Sequence, residues 1–249
     1  MSHSGRRRRR SNSALPNWQQ HTLLILLLCA GLVLASNGSR LLVSGLAGYQ
    51  VQVFIDDWRS KNAMPSPAAW AVAEAAANRA VAWYPGVSGK HLEQRGHLYQ
   101  WQHYQLPYAD AQASSARQAS IDSLRQAIAA RPHWPDNHLA LANGKLLQWQ
   151  LDAEFNQALQ QASYYGPYRP RIQLGLARIG LQAWPALKPA EQQLTIQSIE
   201  RSLLLNNSNA ARQLASLATS YADLNSICQQ LDKATPRSDI LCAGDTERP

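Results

Sequence analysis

The chain has 249 residues, 24 of them Lys or Arg and 16 Asp or Glu, for a formal net charge of +8. Arg6 to Arg10 supply five of the bases. The remaining 19 nearly balance the 16 acids, which argues against a nucleic-acid-binding stripe and against nucleic acid as a partner. Ala, Leu and Gln are abundant, eight Trp and nine Tyr stand beside only two Phe, and alternating β-branched runs are almost absent, so the fold class is all-α.

The arginine run stands just ahead of the one long apolar stretch, Leu23-Leu24-Ile25-Leu26-Leu27-Leu28 and its flanks. His21 to Ser39 is 19 residues without a full charge, which at about 1.5 Å per residue nearly matches a hydrocarbon core of about 30 Å. Arginines on one flank resist translocation, so they stay cytoplasmic and the downstream chain is exported. A retained single-pass anchor is the expectation, because apolar character resumes after Arg40 with Leu41, Leu42, Val43 and Leu46. The rival is a cleaved signal peptide ending near Val33-Leu34-Ala35. Cys29 is an apolar residue of the segment rather than an acylation site.

Beyond the anchor, Leu41 to Trp58 reads as a helix leaving the membrane, and Met64-Pro65-Ser66-Pro67 breaks it. Asp56-Asp57 reads as part of a polar face near a helix end rather than as a carboxylate pair, since adjacent residues do not share a helix face. Further helices are expected at Pro67 to Trp83, Gly89 to Gln105, Ala109 to Ala130, Trp134 to Trp149, Asp152 to Tyr165, Pro170 to Trp184, Pro189 to Leu205, Asn209 to Asp223 and Leu224 to Lys233, with Pro or Pro-Gly stops between several of them. Segments follow: a basic cytoplasmic tail 1–20, a transmembrane anchor 21–45, a membrane-proximal helix and linker 46–66, a helical-repeat domain 67–235 and a C-terminal tail 236–249.

The helices pair, and the pairs repeat. Pro132 and Pro167 close successive units 35 residues apart, near the tetratricopeptide period of about 34. The unit from Pro85 to Pro132 is longer, at 47 residues. Leu141-Ala142 and Ala158 depart from the repeat consensus. The expectation is a degenerate tetratricopeptide-like solenoid, in which each hairpin buries an apolar stripe against its neighbours.

Within this region, Arg131-Pro132-His133-Trp134-Pro135, Asn143-Gly144-Lys145-Leu146, Leu151 to Leu159, Tyr165-Gly166-Pro167-Tyr168-Arg169-Pro170 and Ile179-Gly180-Leu181-Gln182-Ala183-Trp184 together resemble the VpsP-like family of polysaccharide-biosynthesis proteins. They are also similar to the helical tail of some O-antigen ligases and polymerases. The resemblance covers about a third of the chain. It implies a bacterial inner-membrane accessory protein of exopolysaccharide or surface-polysaccharide production, with a periplasmic helical domain and protein partners in that machinery. No catalytic residues come with it.

Sites for chemistry are few. The histidines lack the i, i+4 spacing of a shared metal face, and no phosphate loop, nucleophile elbow or HExxH motif occurs. An enzyme is not expected, nor a cofactor. Cys228 and Cys242 lie in the exported part, where a disulfide is permitted. A bridge would close about 15 residues and contribute about 3 kcal/mol. Tyr99, Trp101, Tyr104 and Tyr108 form one candidate interaction surface, able either to stack on sugar rings or to fill helix seams. Tyr164, Tyr165, Tyr168, Arg169 and Arg171 form a second around the Gly166-Pro167 turn, where the arginines would meet an acidic partner or glycan, or cap carbonyls. Three functions stay open: a scaffold for a polysaccharide synthesis or export machine (or for a secretion or pilus assembly), a glycan-binding module, and, more remotely, an enzyme.

Overall fold

The computed structural model describes residues 17–222, 224–232 and 234–243. The arginine run at 6–10 lies outside them, as do residues 223 and 233, where two of the expected helices end, and 244–249. The described residues form eleven α-helices and two short 3-10 turns joined by loops, with no strand among them.

Helix α1 runs unbroken from Asn17 to Lys61, 45 residues and about 68 Å long. Its N-terminal half holds an 18-residue window of mean hydropathy 1.9 of which nothing is buried inside the molecule, long and apolar enough to cross a membrane. Its C-terminal half packs through Ser44, Ala47, Val51, Ile55 and Trp58, all buried and spaced by three or four residues. The expected anchor and membrane-proximal segment are thus one continuous helix. It ends where Asn62 takes a left-handed φ of 48° and the Ala63 amide donates back to the Trp58 carbonyl.

The remaining helices follow the apolar periodicity. They are α2 (Pro67–Trp83), α3 (Gly89–Trp101), α4 (Ser114–Ala130), α5 (Pro135–Leu147), α6 (Ala153–Tyr165), α7 (Pro170–Ala183), α8 (Pro189–Leu205), α9 (Ser208–Tyr221), α10 (Leu224–Gln230) and α11 (Ser238–Cys242). Proline opens α2, α5, α7 and α8, where its missing N–H costs nothing. Ser66, Ser88, Asp152 and Asn207 cap the starts of α2, α3, α6 and α9 by accepting from backbone amides.

The main contacts join consecutive helices, or helices next but one in sequence. Hairpins α1·α2, α3·α4, α5·α6 and α7·α8 stack so that α1, α3, α5, α7 and α9 each touch the next in that series. This is a helical-repeat-like all-α array. Small residues set its spacing: a Cβ on Gly96 would meet Leu124 at 2.6 Å, and one on Gly180 would strike Thr195. The alanines of α2 (Ala73, Ala76, Ala77) likewise let it close onto Val51, Ile55 and Trp58 of α1. A second core surrounds Phe155 and Leu159, and a third joins α7 to α11.

Two departures from the expected helices have a common cause. Helix α3 stops at Trp101 rather than Gln105, and α4 starts at Ser114 after a 3-10 turn, Ala111–Ala113, rather than at Ala109. Pro107 cannot donate to a helical ladder, and Ala109 sits at φ 55°. The resulting loop is held by Arg117, 2% exposed, whose guanidinium donates to the carbonyls of Pro107, Leu147 and Leu106 at 2.8 Å each. This loop accounts for the long unit between Pro85 and Pro132.

Lys145 is the second buried cation, 1% exposed. Its ammonium meets Asp152 at 2.9 Å and Glu154 at 2.6 Å, and Glu154 also takes two bonds from Arg125. The Arg125 bonds, aided by Lys145 and opposed by partial burial, pull the Glu154 carboxyl down to about 2. At the C-terminus Cys228 and Cys242 are bridged, with Cα atoms 5.9 Å apart. The segment taken as a tail from residue 236 therefore contains α11, which the bridge ties to α10 and the fully buried Leu241 packs against α9.

Candidate functional site

The helix series α1, α3, α5, α7 and α9 presents one face to a groove of about 1050 Å³. From α1 come Gln52, Ile55 and Arg59; from α3, Lys90, Glu93, Gln94, His97, Gln100 and Trp101. Helix α5 adds Asp136, Leu139, Ala140, Asn143, Leu146 and Leu147, and α7 adds Arg171, Leu174, Gly175, Arg178, Ile179 and Gln182, each at the i, i+3, i+4, i+7 spacing of a single helix face. Tyr221, at the end of α9, and Tyr104, Leu106, Pro107 and Tyr108, in the Arg117-held loop, complete the lining.

Amides stitch the floor from helix to helix. Gln94 donates to the Gln52 side chain at 3.4 Å, Gln100 to the Ala140 carbonyl at 3.2 Å, and Asn143 to Gln100 at 3.1 Å. Gln94 also donates to the Gly48 carbonyl at 3.4 Å and meets His91 through its amide oxygen, so the ladder ties α1, α3 and α5 together.

The groove's two carboxylates are already engaged. Glu93 receives Arg131 at 2.6 Å and lies 3.7 Å from His97. Burial works against its charge, but His97 and Arg131 outweigh burial and hold its carboxyl below the ordinary range. Asp136 receives Arg171 at 2.6 Å and Arg169 at 3.3 Å. Lys90 and Arg178, both exposed, enter no salt bridge among the described residues. The net field in the groove is therefore positive.

Of the first aromatic series, Trp101, Tyr104 and Tyr108 reach the groove and Tyr99 does not. Tyr99 packs on Trp70 with ring centroids 5.9 Å apart and donates to Glu74 at 3.2 Å, filling the seam between α2 and α3. Trp101 and Tyr104 lie 4.5 Å apart, and the Tyr104 hydroxyl donates to the Asn62 carbonyl at 2.6 Å. Tyr108 stacks on Trp149 at 5.5 Å. Burial, with Tyr221 nearby, pushes the Tyr108 phenol up, so it stays a neutral donor.

The second series divides too. Arg171 belongs to the groove. Arg169 lies over the Trp134 ring at 4.7 Å, with Arg131 5.2 Å from the same ring. Tyr165 fills the space beside His133 and His138, while Tyr164 and Tyr168 project outward, 75% and 83% exposed. No group of three or more His, Cys, Asp or Glu among the described residues is arranged to hold a metal ion.

No family model, no curated protein and no solved structure matches the chain.

Sequence reasoning passed over Lys90, Asp136, Arg178, Tyr221 and the amide ladder. The signal was present in α7, where Arg171, Leu174, Arg178 and Gln182 recur at helical spacing, a mixed polar and apolar stripe opposite the buried Ile172, Leu176 and Ala177. Which stripe of a repeat helix faces inward is decided by stacking, and that is not written in one helix alone.

Proposed function

We propose that this chain is a non-catalytic, single-pass accessory protein of bacterial surface-polysaccharide production or export, whose tetratricopeptide-like repeats bind a partner from that machinery. The carrying observation is the groove: the aligned faces of α1, α3, α5 and α7 with Tyr221 at the end of α9, lined by amides, aromatics and cations. Extended concave surfaces of this kind suit an extended partner segment. Glu93 and Asp136 are neutralised by arginines, which favours binding over acid–base chemistry.

The pathway rests on the VpsP-like resemblance between residues 131 and 205. The topology rests on Arg6 to Arg10: an N-terminus in the cytoplasm, α1 through the inner membrane and the repeats in the periplasm. The test is a deletion strain complemented with the wild-type gene or with Arg178→Glu. Surface polysaccharide should fall on deletion, return with the wild type, and fail to return with Arg178→Glu at equal protein level. Unchanged polysaccharide in the deletion strain removes the assignment.

A second reading is direct glycan binding, favoured by Trp101 and Tyr104 at the rim beside Gln100 and Asn143. Titration of the native polymer into the detergent-solubilised chain, read by tryptophan fluorescence, separates the two. A saturable response lost in Trp101→Ala supports glycan; no response leaves the protein partner.

A further inference from the structure

Helices α1 and α2 run antiparallel, joined at Trp58 and Trp70 near one end and at Ser44 and Ala80 near the other. Beyond Ala80, α2 therefore heads back toward the apolar half of α1. Trp83 is three residues further on, about 4.5 Å closer to it. The turn that follows, Tyr84 to Ser88, shares a cleft with Leu41 and Gly45 of α1. This turn thus sits at the level where α1 leaves its uninterrupted apolar stretch.

What surrounds that level is apolar and uncovered. Leu41, Leu42 and Leu46 on α1 are 46%, 64% and 62% exposed, and Trp83 and Val87 on the turn are 47% and 73% exposed. It is also free of acid: no Asp or Glu occurs from residue 75 to 92 or from 37 to 55, whereas Arg40, Arg79 and Lys90 lie there. An aromatic–apolar rim with basic neighbours complements a phospholipid headgroup layer, where Trp and Tyr settle and Lys and Arg meet phosphate.

We infer that the Trp83–Val87 turn rests in the headgroup layer of the membrane that α1 crosses, as a second contact with the bilayer. This rests on the reading of α1 as a membrane-spanning helix. A single helix leaves a domain free to tilt about its exit point; two contacts at one level fix it. The groove residues Gln52 to Arg59 then stand about 12–22 Å beyond the level of Ser44, at a set height and orientation.

The test uses the full chain with Cys29→Ala, reconstituted in phosphatidylcholine–phosphatidylglycerol vesicles carrying nitroxide-labelled lipid. A fluorophore is attached to Leu28→Cys, Val72→Cys or Val87→Cys; Cys228 and Cys242 are bridged and do not react. Val72 is an exposed residue of α2 eight positions before Ala80, away from the proposed contact. Lipid nitroxide should quench positions 28 and 87 and spare 72. Quenching at 28 with 87 no more quenched than 72 overturns the second contact. An unquenched position 28 overturns the spanning reading, and this inference with it.

Discussion

The Ser44 hydroxyl donates to the Ala80 carbonyl at 2.6 Å across 36 residues of sequence, fully buried where α1 first meets the rest of the molecule. It marks the position at which one helix passes from uncovered to packed. Before Ser44, no described residue of α1 is buried; after it, every third or fourth residue is covered by α2 or α3.

Bulk at that point separates the hairpin. Ser44→Leu should destabilise the domain by about 1–3 kcal/mol through overpacking. Gly45→Ala, whose new Cβ meets nothing within 4 Å, should leave it unchanged or slightly firmer. Thermal unfolding of both variants in detergent checks the contrast.

Arg117 holds the loop that carries Tyr104 and Tyr108. Arg117→Met strips a charged donor from three carbonyls and should cost about 3 kcal/mol. Hydrogen exchange should accelerate first across residues 102–110. Arg117→Lys should recover only part of the loss, because an ammonium cannot span three carbonyls in a guanidinium's fork.

The Lys145 cluster predicts an acid limb in stability. The Glu154 carboxyl is lowered from an ordinary 4.5 to about 2, so its contribution is complete above about pH 4.5 and is lost as pH falls toward 2. The melting temperature of the wild type should drop across that window, and Glu154→Gln should flatten the drop while lowering stability at neutral pH. An equal acid limb in both proteins would move its origin elsewhere.

Gly180 and Thr195 test the packing of α7 on α8. Gly180→Ala should destabilise by about 1–3 kcal/mol because its methyl group strikes Thr195. Adding Thr195→Ala should return most of that, a coupling that additive effects would not give.

The disulfide is a reducible increment. Cys228→Ser with Cys242→Ser should lower stability by about 3 kcal/mol, and reductant should lower the wild type similarly and leave the double variant unchanged. Paired denaturant curves decide it.

Much of the fold is legible in the sequence because its signals are local. Prolines at the starts of α2, α5, α7 and α8 and the serine and aspartate caps act within one turn of helix, and the uncharged run of α1 is contiguous in sequence. The long-range determinants are not legible in that way. Nothing near Arg117 announces that its partners are the carbonyls at 106, 107 and 147, so α3 and α4 read as longer than they are. Tyr99 and Trp101 sit two residues apart and look alike, yet helical rotation sends one into the α2 seam and the other to the groove. The cysteine pair was visible; the α11 helix between Ser238 and Cys242 was not, because five residues carry too little periodicity.

If the groove between α1, α3, α5 and α7 is the working face, a partner must lie against it in the cell. The most direct measurement is photo-crosslinking in living cells from a benzoylphenylalanine placed at Gln182, in the groove, or at Gln160, exposed on α6. Position 182 should give a discrete crosslink to a component or product of the polysaccharide machinery, and position 160 none. Crosslinks from 160 alone, or the same products from both positions, would contradict the groove as the working face.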